Sequence, residues 1–89
     1  MADDAISRVE GFDAARAGKR AECDGGGAIA GTRYAQREEF TGTLTGAYVD
    51  HGDPPWRWYL LKDLERRPDG YPGEAVWCLA ENLFVDGEP

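Results

Sequence analysis

Residue types able to carry out acid–base or nucleophilic chemistry are sparse in this chain. The single histidine, His51, stands in Asp50-His51-Gly52-Asp53. A carboxylate beside an imidazole can orient the ring as a general base. A nucleophile would have to come from Cys23, Cys78 or Ser7, the only serine, and all three are distant in sequence. With no nucleophile beside it, His51 reads as an exposed turn residue, and no enzymatic activity is expected. Cys23, His51, Cys78 and an acid would form a zinc set, but C-x-x-C and H-x-x-x-H pairings are absent. No metal and no cofactor is expected. The run Gly25-Gly26-Gly27 lacks the Gly-Lys-Ser/Thr ending of a phosphate loop and reads as a linker with no strand before it.

The aromatic residues point to binding instead. Trp56 and Trp58 are two apart, so in a strand they share one face, and Tyr59 and Leu61 share the other. A small barrel is filled from one face only, so one pair lies inside. The other pair lies outside or under the N-terminal segment. Tyr48, Tyr71, Trp77 and Phe84 add more aromatic surface than such an interior needs. Either an N-terminal helix covers the surplus, or it forms a groove for a partner. In the second case Tyr48, Trp56, Trp58 and Tyr71 supply contact area, and Asp50 and Asp53 complement a basic protein. The same aromatics, with Arg33, Arg37, Arg57, Lys62, Arg66 and Arg67, are also a pattern for stacking single-stranded nucleic acid. The acids interleaved among them argue against it.

Bulk properties narrow the partners. The chain has 89 residues, enough for one domain, and 42% are hydrophobic, too many for a disordered chain. Net charge is −7, which opposes encounter with nucleic acid or an anionic membrane surface. The charge is spread out: six acids against four bases in residues 1–30, eleven against six in 31–89. No apolar run approaches the roughly 18 residues of a membrane span. The opening MADDAISRVEGF lacks a basic region followed by an apolar one, so it is not read as a secretory signal, and a cytoplasmic setting is expected. In that setting a disulfide is not expected: Cys78, inside an apolar run, reads as a buried hydrophobe and Cys23 as an exposed thiol. Eight arginines against two lysines suggest a GC-rich genome, such as that of an actinobacterium or its phage.

The elements that must position these residues follow from composition. Residues 3–22 read as a helix: Asp3 or Asp4 caps it, Ile6, Val9 and Phe12 form a narrow stripe, and Arg16, Lys19 and Arg20 suit its C-terminal end. The glycine run then marks a boundary, dividing a helical extension (1–27) from a β domain (28–89). Residues 28–39 read as strand, with a second helix as the alternative. Phe40–Val49, rich in Thr and aromatics, reads as a strand with bends or bulges at Gly42 and Gly46. Asp50–Pro55 reads as a loop, Trp56–Leu64 as a second strand, Arg66–Gly73 as a turn region and Glu74–Leu79 as a third strand. Ala80–Leu83 reads as a one-turn helix and Phe84-Val85 as a closing strand.

The succession Trp56-Arg57-Trp58-Tyr59-Leu60-Leu61, a glycine-containing turn, then Ala75-Val76-Trp77-Cys78-Leu79-Ala80-Glu81-Asn82-Leu83-Phe84-Val85 resembles the second half of SH3-like barrels. There an aromatic strand leads to a second strand, a short 3₁₀ turn carrying Asn, and a last short strand. Gly31-Thr32-Arg33-Tyr34 and Gly42-Thr43-Leu44 resemble strand openings in bacterial SH3-like and KOW-type barrels. The resemblance spans residues 30–86. It implies a mainly β, five-stranded barrel with an N-terminal helical extension. The alternative is an α+β fold with two helices packed on three or four antiparallel strands. The acidic loop and Ala-x-Tyr-x-Tyr motif of the peptide-binding members are not present, and KOW-type binders are basic where this chain is acidic. The functional expectation is a non-enzymatic protein-interaction or regulatory module, phage- or mobile-element-encoded. A KOW- or Tudor-like nucleic-acid binder and an acidic nucleic-acid mimic that blocks a host DNA-binding protein are the alternatives.

Overall fold

The computed structural model describes residues 7–24, 27–28, 39–52, 54–67 and 73–88. Among them the chain is mainly β, with no α-helix and no helix long and apolar enough to cross a membrane. The strands are β1 (Ser7–Phe12), β2 (Arg20–Asp24), β3 (Gly27–Ala28), β4 (Glu39–Gly52), β5 (Pro55–Arg66), β6 (Val76–Leu79) and β7 (Leu83–Val85). A 3₁₀ turn, Ala80–Asn82, joins the last two. They form one antiparallel sheet along the path β3-β6-β5-β4-β2-β7, with β1 added on β4.

The helix expected over residues 3–22 is not formed in its described part. Residues 7–12 pair with 52–47 of β4, and residues 20–24 pair with 43–39 of the same strand. Residues 7–24 thus run beside the 14-residue β4 as one broken strand. The stripe that suggested a helix was short, and Val9 and Phe12 remain exposed, so a helix would have buried little. Helix propensity differs by less than about 1 kcal/mol per residue, and a long unpaired strand edge outweighs it. The interruption, Asp13–Lys19, keeps one helix-like turn in which Ala17 N–H donates to the Asp13 carbonyl at 3.1 Å. Ala15 N–H donates to Asp13 Oδ1 at 3.1 Å. The excursion is tied to β4 by Asp13 N–H to Gly46 O, Gly18 N–H to Leu44 O and Leu44 N–H to Lys19 O, each 2.8 Å.

The expected bends at Gly42 and Gly46 coincide with the two register shifts between β4 and β5. Leu44 opposes Leu61 and Tyr48 opposes Tyr59, so three residues of β4 face Leu60 alone, with Gly46 at φ 94°. Thr41 opposes Arg66 and Thr43 opposes Lys62, so Gly42 faces three residues of β5, among them Asp63 at φ 49°. At Gly42 the backbones approach closely: a Cβ there would lie 2.6 Å from the Lys62 carbonyl oxygen. Gly42→Ala is therefore expected to destabilise the fold by about 2 kcal/mol. A lower urea midpoint at unchanged slope is the readout, and an unchanged midpoint refutes the close approach.

Other boundaries also shift. Asp50, His51 and Gly52, expected in a loop, extend β4, and Pro55 opens β5, because each continues the hairpin ladder. A strand, β2, does precede the glycine run. The strands expected around 40–49, 56–64 and 75–79, the short turn at 80–83 and the closing strand are present. The helix-or-strand alternative for 29–38 lies outside the described residues.

The core consists of Ala21, Cys23, Phe40, Leu44, Tyr59, Leu61, Val76, Cys78 and Val85. Tyr59 and Leu61 therefore face inward, and Trp56 and Trp58 lie on the opposite face of β5. Cys23, expected as an exposed thiol, is fully buried and joined to Cys78 by a disulfide. β2 and β6 are separated on the sheet path by β5 and β4. The residues just after β2 nevertheless pair with β6, Gly27 opposite Cys78, so the chain itself carries Cys23 across the core.

Candidate functional site

The end of the β4–β5 hairpin distributes its side chains over two faces. Directly opposed residues share a face, so the pairs Tyr48–Tyr59 and Asp50–Arg57 lie on the core side. The pairs Val49–Trp58 and His51–Trp56 lie on the other. Of the six residues expected to bind a partner, Tyr48 and Asp50 are brought together on one face and Trp56 and Trp58 on the opposite one. Asp53 and Tyr71 lie outside the described residues.

The core-side face carries a stack of rings and guanidinium groups. Tyr48 and Tyr59 have ring centroids 5.8 Å apart. Arg57 Cζ lies 4.0 Å from the Tyr48 centroid, and Arg57 Nε and Nη2 donate to Asp50 Oδ1 and Oδ2 at 2.7 and 2.9 Å. Arg16, on the Asp13–Lys19 excursion, lies with Cζ 4.9 Å from the Tyr59 centroid. Its Nε and Nη2 donate to Glu88 Oε2 and Oε1 at 3.0 and 2.8 Å, and the Tyr59 hydroxyl donates to Asp13 Oδ2 at 3.3 Å. The hydrogen bond from Arg57 holds the Asp50 carboxyl below its ordinary value, with desolvation opposing and the Arg57 charge assisting. Hydrogen bonding to Asp50 raises Arg57 in turn, and hydrogen bonding to Glu88 raises Arg16. Asp50 thus favours the folded state above its ordinary pKa, and that contribution is lost as pH falls through the lowered value.

The opposite face is apolar. Trp58 opposes Leu79 and Leu60 opposes Trp77, so all three tryptophans of the chain stand on it with Leu60, Leu79 and Val49. Val49 is buried, Trp58, Leu60, Trp77 and Leu79 are half-buried, and Trp56 is 50% exposed. None of these residues is part of the core cluster.

The acid–base reading of His51 finds no thiol partner, because both cysteines are consumed in the disulfide. Among the described residues no group of three His, Cys, Asp or Glu is placed to hold a metal ion. A shallow cleft of about 380 Å³, lined by Lys62, Asp63, Leu64, Arg67, Glu74 and Ala75, shares no residue with either face. Sequence reasoning missed the roles of Arg16, Asp13 and Glu88. Arg16 and Glu88 are 72 residues apart, and only the strand register brings them together beside Tyr59's partner Asp13. Comparison with known protein families, with curated proteins and with solved structures finds no match.

Proposed function

We propose that the chain is a non-enzymatic partner-binding module, an SH3-like barrel that receives a protein on the tryptophan face of β5 and β6. The order β2, β4, β5, β6, 3₁₀ turn, β7, with β7 returning to pair with β2, supports the barrel reading. The observation that carries the functional reading is the tryptophan face itself, with Trp56 half exposed at the hairpin end. Large, rigid aromatic side chains dominate protein-binding hot spots. The net charge of −7 favours a basic partner and disfavours nucleic acid. The cytoplasmic expectation came from the opening residues, and free thiols were expected as its consequence. A buried disulfide supports an oxidising compartment instead.

Peptides selected from a random library on the oxidised domain provide the test. Trp56→Ala is expected to weaken their binding at least about tenfold while leaving the circular dichroism spectrum unchanged. Binding indifferent to Trp56 sinks the reading. Retention of single-stranded DNA or RNA at low salt, lost steeply as salt rises, would favour the nucleic-acid alternative.

A further inference from the structure

Two arginines of this chain are held in the same manner, each with a tyrosine ring against its guanidinium face and a carboxylate accepting two hydrogen bonds along its edge. The two seats adjoin, because Tyr48 and Tyr59 oppose each other across the β4–β5 ladder. They differ in access. Arg16 and Glu88 have side chains 27% and 30% exposed and tie the Asp13–Lys19 excursion to the C-terminal segment. Arg57 is 43% exposed and sits at the hairpin end, with Asp50 at 25%.

We propose that the ring of Tyr48 and the carboxylate of Asp50 form a seat for an arginine side chain of a basic protein partner, with Arg57 the resident group that it replaces. The inference rests on the reading of the chain as a partner-binding module, not on the tryptophan face, which lies on the other side of the hairpin, and it names the partner's chemistry. Three physical arguments carry it. Arg57 and Asp50 pair at the protein surface, where solvent screens an ion pair, so releasing Arg57 to solvent costs little. Exchange of one guanidinium for another preserves both hydrogen bonds to Asp50 and the stacking on Tyr48, so the seat loses nothing. A lysine ammonium cannot reproduce the planar two-point contact, so the seat discriminates between the two cations. The acidic chain draws such a partner at long range, and the seat then reads which basic residue arrives.

Titration of N-acetyl-L-arginine methylamide and its lysine counterpart onto Arg57→Ala, followed by NMR shifts of β4 and β5, is the direct test. The arginine compound is expected to bind about threefold more tightly than the lysine one, and adding Asp50→Asn is expected to abolish that preference. Equal binding of the two compounds, or binding unaffected by Asp50→Asn, overturns the seat. Should Arg57→Ala not fold, Arg57→Lys keeps a cation in place and is judged by the same preference. Trp56→Ala separates this inference from the reading beneath it. An arginine response at Tyr48 together with peptide binding indifferent to Trp56 overturns the tryptophan face and leaves the seat standing. Peptide binding that needs Trp56, without any arginine preference, overturns the seat alone.

Discussion

Reduction of the Cys23–Cys78 disulfide is expected to lower the unfolding free energy of the chain by about 4 kcal/mol. The two residues are 55 apart in sequence, and opening a loop of that length returns about this much conformational freedom to the unfolded chain. An 89-residue domain has a total stability on the order of 5–13 kcal/mol, so the bond supplies about a third of it or more. The bond also joins strands that share no ladder: β2 pairs with β4 and β7, and β6 with β5 and β3. Urea unfolding with and without reductant measures the effect. The double variant Cys23→Ala/Cys78→Ala, which removes both thiols, is expected to match the reduced protein. A loss below about 1 kcal/mol would show that the two strands are held together without the bond.

Leu61→Ala is expected to cost about 3 kcal/mol and Trp56→Ala only about 1 kcal/mol, although tryptophan is much the larger side chain. Leu61 is completely buried, with Leu44 opposite it on one side and Val76 on the other. Its truncation leaves a cavity between three strands that hydrogen bonding holds in place, so the site cannot collapse to fill it. Trp56 is half exposed and outside the core cluster, so its removal leaves no enclosed cavity and uncovers only surface at the edge of the sheet. Denaturant midpoints compared at constant slope decide the matter. A large loss at Trp56 with a small one at Leu61 would reverse the assignment of faces and remove the tryptophan surface as a binding site. The same pair of variants therefore tests the fold and the candidate site together.

Much of the sheet was legible in the residues. Thr- and aromatic-rich segments marked β4 and β5, and Gly42 and Gly46 marked the bulges, since both features act over a few residues. The separation of Trp56 and Trp58 from Tyr59 and Leu61 followed from the two-residue period of a strand. Local pattern could not say which of these pairs is inside, because both are aromatic or apolar and suit either side. Burial by Leu44, Val76 and Cys78 makes that choice, and those residues arrive from two other strands. Asp50 was read as a charge offered to a partner. Its opposition to Arg57 appears only once the hairpin register is known, and that register carries a two-residue bulge.

The sequence by itself determined that the chain is mainly β from Phe40 onward, that its one histidine has no neighbouring nucleophile, and that it carries more aromatic surface than one small core uses. Tertiary structure decided the rest. Residues 7–12 and 20–24 became strand because β4 presents a 14-residue edge that their own weak helical preference cannot outweigh. Cys23 became half of a disulfide because Gly27, four residues on, pairs with Cys78 of β6. The aromatic surplus was divided into a ring-and-guanidinium stack on one side of the hairpin and a tryptophan face on the other. Strand pairing sets which residues oppose each other, and opposition across a ladder is a long-range property that no local run of residues encodes.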